Sequence, residues 1–236
     1  SLLATDGTHL LVGAPGPRAA AGPVHTYTLD GLEPLGQLST DDLPERSSYG
    51  SALAVHNGFA YVGASGFDAR VGAVFVFEFG EDGWTEIAPL RPVIAARNTQ
   101  FGASILASDG GLLVGAPGAD AGAGALYRVS DSQGMTQVTV LDSETAGEGA
   151  GFGGSLAIAD GVMAVGALGV DERAGAAVIF AGGTEQSTVI NEARGFPSIT
   201  GDEVECTEGS ADVFDCESVN IVSFMPINEI GGVRGT

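Results

Sequence analysis

At 236 residues, with 44% hydrophobic and 17% charged residues and 38 glycines, the chain reads as globular and turn-rich. Thirty acidic residues stand against nine basic ones, a formal net charge of −21, which excludes the basic footprint that nucleic acids and anionic membrane surfaces require. No apolar run approaches the roughly 18 residues of a membrane span. No signal peptide opens the sequence, which fits a processed or truncated chain. The charge suits solubility, a salt-rich setting or divalent cations.

A four-residue phrase organises the first three quarters of the chain: Gly13-Ala-Pro-Gly16, Gly63-Ala-Ser-Gly66, Gly115-Ala-Pro-Gly118 and Gly166-Ala-Leu-Gly169. Its steps of 50, 52 and 51 residues mark a repeat array, in which one supersecondary unit cannot bury its apolar face alone. Each unit carries more fixed features. Turn pairs precede the phrase at Asp6-Gly7, Asn57-Gly58, Asp109-Gly110 and Asp160-Gly161. Such pairs favour tight hairpins, because both turn residues need positive φ. Another glycine follows at Gly22, Gly72, Gly124 and Gly175, and three units open on an aromatic–glycine pair: Tyr49-Gly50, Phe101-Gly102 and Phe152-Gly153.

The segments between these landmarks read as short strands. Ser51–Val55 enters the Asn57-Gly58 turn and Phe59–Val62 leaves it; Ala73–Phe79, Ala125–Val129 and Ala176–Phe180 follow the later glycines. More polar strands, Trp84–Ile87 and Thr136–Leu141, close two units. No stretch keeps a helical period. Four short antiparallel strands per unit of about 50 residues predict an all-β fold built of propeller blades.

Phe101-Gly102, then Gly115-Ala116-Pro117, then Gly124–Tyr127 resemble the FG-GAP repeat, which forms the β-propeller of integrin α-chains and of many secreted bacterial proteins. The resemblance covers about residues 1–185. It implies blades over about 1–48, 49–100, 101–151 and 152–190, with the first truncated before its aromatic–glycine pair. Such propellers commonly hold seven blades, so four imply part of a larger ring, completed by residues outside this sequence or by another chain. A closed four-bladed ring is the alternative.

Composition changes over 191–236. Glu192, Asp202, Glu203, Glu205, Glu208, Asp212, Asp215 and Glu217 crowd around Cys206 and Cys216. The two cysteines enclose a short loop that a disulfide could close, and a close pair beside a secreted-type repeat favours an oxidising compartment; two reduced buried thiols are the alternative. No further cysteine or nearby histidine completes a zinc set. The stretch from Cys206 to Gly232 resembles the opening of the choice-of-anchor B family of secreted bacterial surface proteins, which implies a second β domain beginning near Ser218–Phe224.

Integrin blades carry acidic Ca²⁺ loops between their first two strands. Here the place is taken by turns with one carboxylate, too few for the six to eight or so oxygens that calcium takes. Integrin-type calcium loops are therefore absent, and Asp6, Asp109 and Asp160 read as turn-formers. A second acidic series, Asp68, Asp120 and Asp171, recurs five residues after the phrase-opening glycine, with Arg18 in the first unit. These aspartates read either as caps of their own loops or as weak cation candidates. His9, His25 and His56 stand in or beside strands with no nucleophile motif, and Gly151–Gly154 precedes no helix that would bind phosphate.

The expectation is a non-enzymatic, extracellular or cell-surface bacterial propeller segment for adhesion or protein binding, with no confident cofactor. Its ligand would be a protein, a surface or another copy of the chain, met by the loops at 14–21, 65–71, 117–123 and 168–174. Alternatives are a fibre subunit closed by strand addition, using 219–224 as donor, and an accessory propeller of a larger secreted hydrolase.

Overall fold

The structure, a computed structural model, describes residues 3–14, 22–40, 43–44, 46–132, 135–141, 143, 146–170, 175–181, 184–190, 210–211 and 214–215. The chain divides into two compact units, Ser1–Asn191 and Glu192–Thr236. In the second, a two-residue strand Ser210–Ala211 pairs antiparallel with Phe214–Asp215. Cys206, Cys216 and the 219–224 strand lie outside the described residues.

The first unit is all-β: four four-stranded antiparallel sheets arranged as β-propeller blades. Blade 1 comprises β1 (Leu3–Thr5), β2 (His9–Gly13), β3 (Val24–Thr28) and β4 (Pro34–Leu38). Blade 2 comprises β5 (Tyr49–His56), β6 (Phe59–Ala64), β7 (Ala73–Gly80) and β8 (Gly83–Glu86). Blade 3 comprises β9 (Ser104–Ser108), β10 (Gly111–Ala116), β11 (Ala125–Ser132) and β12 (Met135–Leu141). Blade 4 comprises β13 (Phe152–Ala159), β14 (Val162–Ala167), β15 (Ala176–Ala181) and β16 (Thr184–Ile190). Each sheet is a meander whose neighbours in sequence pair in space. Two short turns with left-handed backbone, α1 (Phe67–Arg70) and α2 (Ala119–Gly122), lie in the loops that the sequence reading placed there.

Turn chemistry explains the hairpins only in part. Asn57-Gly58 and Asp160-Gly161 both have positive φ at both residues, as a tight hairpin requires. At Asp109-Gly110 the left-handed position moves on to Gly111, at φ 105°. Asp6 works differently again: its Oδ1 accepts the N–H groups of Thr8 and His9, so the carboxylate holds the turn.

The interior strands of blades 2 and 3 are apolar on both faces because each of these two sheets packs between neighbouring blades. Leu11, Val24 and Leu38 of blade 1 pack with Leu53, Val62, Phe75 and Phe77 of blade 2. The opposite face of blade 2, with Val74 and Tyr61, meets Leu112, Val114 and Tyr127 of blade 3. Leu113 and Leu126 on the far side of blade 3 meet Met163, Val165, Val178 and Phe180 of blade 4. Blades therefore stack in chain order. Among the described residues, no strand of blade 1 packs closely on a strand of blade 4. The outer faces of these two blades stay open: Leu3 is 59% exposed on one and Val162 is 43% exposed on the other.

Candidate functional site

The repeated motif residues meet across blade boundaries. Glycine is needed at the second place of each aromatic–glycine pair because Gly50, Gly102 and Gly153 have φ of 84°, 87° and 87°. In blades 2 and 4 that left-handed residue sits in a register shift at the head of the strand, Tyr49 to Ala52 and Phe152 to Ser155. The preceding aromatic is driven between blades: Tyr49, Phe101 and Phe152 are each almost wholly buried. The Phe101 N–H donates to the Val71 carbonyl at 3.0 Å and that of Phe152 to the Ala123 carbonyl at 2.9 Å, both in the previous blade. Parallel bridges, Gly72 to Phe101 and Gly124 to Phe152, seal the same junctions.

The four-residue phrase supplies the other half of this lock. Its first glycine lies against the carbonyl of the next blade's aromatic–glycine pair: a Cβ on Gly13, Gly63 or Gly115 would overlap the carbonyl oxygen of Gly50, Gly102 or Gly153. Ser104 adds an O–H that donates to the Gly153 carbonyl at 2.7 Å. The buried second residues Ala64, Ala116 and Ala167 fill the core behind it. The fourth glycine serves a different contact, since a Cβ on Gly66, Gly118 or Gly169 would overlap the carbonyl of Arg46, Asn98 or Gly149 in the segment entering the same blade. Of the motif residues singled out in the sequence, Gly13, Gly63, Gly115, Tyr49, Gly50, Phe101, Gly102, Phe152 and Gly153 are thus packing residues of the blade junctions, whereas a Cβ on Gly166 would meet only the Ser155 side chain of its own blade.

The loops after these phrases in blades 2 and 3, at 65–71 and 117–123, form a rim at the opposite end of the second strands from the hairpin turns. Both are held at their ends. Gly66 N–H donates to Ser47 at 2.9 Å, and Gln100 N–H donates to the Arg70 carbonyl at 2.8 Å. Gly118 N–H donates to Thr99 at 3.1 Å, and Gly151 N–H to the Gly122 carbonyl at 2.8 Å. Between these clamps the backbone turns left-handed at Asp68, Ala69 and Arg70, and again at Asp120 and Ala121.

Asp68 and Asp120 are exposed, and neither makes a side-chain hydrogen bond among the described residues, so the cap reading of these aspartates is corrected. What the aspartate offers is tolerance of the left-handed backbone. The clamps leave its carboxylate facing solvent. Asp171 and most of the first rim loop lie outside the described residues. No group of three or more His, Cys, Asp or Glu side chains converges on a cation position among the described residues.

Beside the third rim loop lies a cleft of about 840 Å³, lined by Ile94, Arg97, Gln100, Asp120, Tyr127 and Val140. It combines apolar walls with one cationic and one anionic side chain, an arrangement suited to a side chain or peptide segment. Next to it Val93 and Ile94 are 65% and 70% exposed. Arg91, in the same connection, lies 4.4 Å over the Phe67 ring, tying that loop to α1.

At the turn end, His9 is nearly buried and lies edge-on to Phe79 at 4.7 Å and Trp84 at 5.1 Å, with Nδ1 3.3 Å from Asp6 Oδ2. Burial alone would raise the Asp6 carboxyl. The N–H groups of His9 and Thr8 and the His9 ring outweigh that and hold it below its ordinary 3.8. Its contribution to stability is therefore present above the unfolded value and is lost as pH falls through the lower folded one. Asp6→Ala is expected to cost about 1–3 kcal/mol at pH 7, with the gap to the unsubstituted chain narrowing by pH 2, in urea titrations at both pH values. Sequence reading caught Asp6 as a turn residue but missed this cluster, because Phe79 and Trp84 come from the neighbouring blade.

His56 Nε2 lies 2.9 Å from Asp109 Oδ1, linking the turns of blades 2 and 3, but Asp109 is 93% exposed. His56→Ala is expected to shift stability by no more than about 0.5 kcal/mol in the same titrations, as solvent-screened pairs do. His25 is half-buried on blade 1. Nδ1 of His9 is partnered by Asp6, and Nε2 of His56 by Asp109 and Asn57.

Stacked four-stranded meanders locked in chain order place this chain in the class of β-propeller proteins. Among solved structures it is similar to a protein from Lactobacillus plantarum, with a TM-score of 0.53 and 15% sequence identity, a match covering 84% of this chain and 57% of that one. The chain thus spans little more than half the length of that structure, and the likeness is one of fold. No protein-family model matches the chain, and no curated protein matches it.

Proposed function

We propose that this chain is a non-enzymatic protein-interaction propeller of a secreted or surface-attached bacterial protein, with FG-GAP-type blades. Its rim loops would contact a protein or surface ligand. The observation that carries this reading is the clamped rim: exposed Asp68, Arg70 and Asp120 stand on left-handed backbone fixed at both ends by inter-segment hydrogen bonds. A backbone that is already ordered has little further entropy to lose on binding. The cleft between Arg97 and Asp120 would receive an anchoring side chain. Adhesion is tested by adding the full chain to immobilised purified extracellular-matrix proteins. Saturable binding to at least one, competed by unlabelled chain, is expected; uniformly non-saturable signal would oppose it.

The open outer faces of blades 1 and 4 favour a second reading, assembly into a fibre by end-to-end contact between copies. Sedimentation at two concentrations separates the two readings, since a fibre subunit grows in size with concentration and an adhesion module stays monomeric.

A further inference from the structure

Between blades 1 and 2, at the hairpin-turn end of the sheets, lies a second cleft of about 660 Å³. Blade 1 supplies His9, Thr28, Asp30, Glu33 and Leu35 to its walls, and blade 2 supplies Phe79. The turn that carries the two acids is held by Thr28. Its hydroxyl donates to the Asp30 carbonyl at 2.7 Å and accepts the Glu33 N–H at 3.0 Å. Both carboxylates are exposed, and neither has a side-chain partner among the described residues. The nine basic residues of the chain are all arginines, and none of them lines this cleft.

Deeper than these acids stands His9, which is only 7% exposed. Its Nδ1 lies 3.3 Å from Asp6 Oδ2, and an ionised carboxylate can only accept, so Nδ1 carries the proton of the neutral ring. Nε2 is left as an acceptor. It makes no hydrogen bond among the described residues, yet it is not sealed inside the core, and the cleft is the open space that His9 lines. An unpaired acceptor at this depth costs free energy, which a donor entering the cleft would recover.

His9, Asp30 and Glu33 do not converge on one cation position, so an occupant that uses all three must present donors at separated points. A guanidinium group does so with five N–H donors in one plane. It pairs well with carboxylates, and its weak hydration lets it lie against apolar walls such as Phe79 and Leu35. We infer that this cleft binds a guanidinium group, with N–H donors to His9 Nε2 at its floor and to the Asp30 and Glu33 carboxylates at its mouth. The net charge of −21 draws such a cation toward the chain. The site lies at the other end of the blades from the rim loops, and it is independent of ligand binding there.

The test is a nuclear magnetic resonance titration of the full chain with the peptide acetyl-Gly-Arg-Gly-amide, at about pH 8, where imidazole is neutral. The nitrogen resonance of His9 Nε2 is expected to move saturably. Affinity should fall at least tenfold when citrulline, a neutral group of the same shape, replaces the arginine of the peptide. It should fall as much when the chain carries Asp30→Asn with Glu33→Gln; both residues are exposed and unpartnered, so the melting temperature should not move. Asp109→Asn with Asp160→Asn removes the same charge from other exposed turns and is expected to change affinity less than about twofold. A resonance that stays still, or that moves alike with citrulline, would overturn the inference. Equal weakening by the two double variants would overturn it too, since that marks diffuse attraction to an acidic chain. Methylguanidine in place of the peptide separates the sources of the group: binding at least tenfold weaker points to an arginine borne on a polypeptide, equal binding to a free guanidine, and either supports the guanidinium site.

Discussion

Phe101→Ala is expected to destabilise the first unit by about 3–5 kcal/mol, the range for emptying a fully buried aromatic site. Phe101 is 1% exposed, sits edge-on to Tyr127 at 5.1 Å and 83°, and belongs to the core shared by blades 2 and 3. Its ring is held from two sides, so the site cannot collapse without separating blades. The backbone bond from its N–H to Val71 fixes the approach of the two blades, leaving little freedom to relax. For a unit of this size each kcal/mol lowers the melting temperature by roughly 2–4 °C, so a fall of about 10 °C is expected in calorimetry. A loss below about 1 kcal/mol would mean that the aromatic wedge does not hold the junction.

The second large effect lies in a contrast between two glycines of the same phrase. Gly115→Ala is expected to cost about 3 kcal/mol, because the added methyl meets the Gly153 carbonyl, a backbone group that cannot rotate away, and disturbs the Ser104 hydrogen bond to it. Gly166→Ala is expected to stay within about 1 kcal/mol of the unsubstituted chain, since only the Ser155 hydroxyl must turn aside and alanine suits a strand better than glycine. Urea midpoints of the two variants, measured side by side, check the contrast. Equal losses would show that the phrase glycine serves its own strand and not the junction.

Strand positions were legible because β-branched and aromatic runs are punctuated by glycine turns at a constant period. The expected Ala73–Phe79, Ala125–Val129 and Ala176–Phe180 strands match β7, β11 and β15 to within a few residues at their ends. The reason for the repeated glycines was not legible. Spacing within a repeat says nothing about which residues meet between repeats, and Gly63 meets Gly102 only once two blades are stacked. The left-handed run at Asp68-Ala69-Arg70 was hidden for a related reason. Alanine and arginine disfavour that conformation locally, and it is imposed by hydrogen bonds from Gly66 to Ser47 and from Gln100 to Arg70. Asp68 and Asp120 were correctly placed on one kind of loop, but their carboxylates face solvent instead of capping it.

The same left-handed backbone offers a direct test of the rim. Asp68→Gly, Arg70→Gly and Asp120→Gly together remove the exposed side chains, and glycine adopts positive φ at little steric cost, so the scaffold stays intact. The decisive measurement is the affinity of this triple variant, at unchanged melting temperature, for a matrix protein that the unsubstituted chain binds. A loss of at least tenfold is predicted if the clamped rim is the binding surface; undiminished affinity in a fully folded variant would contradict it.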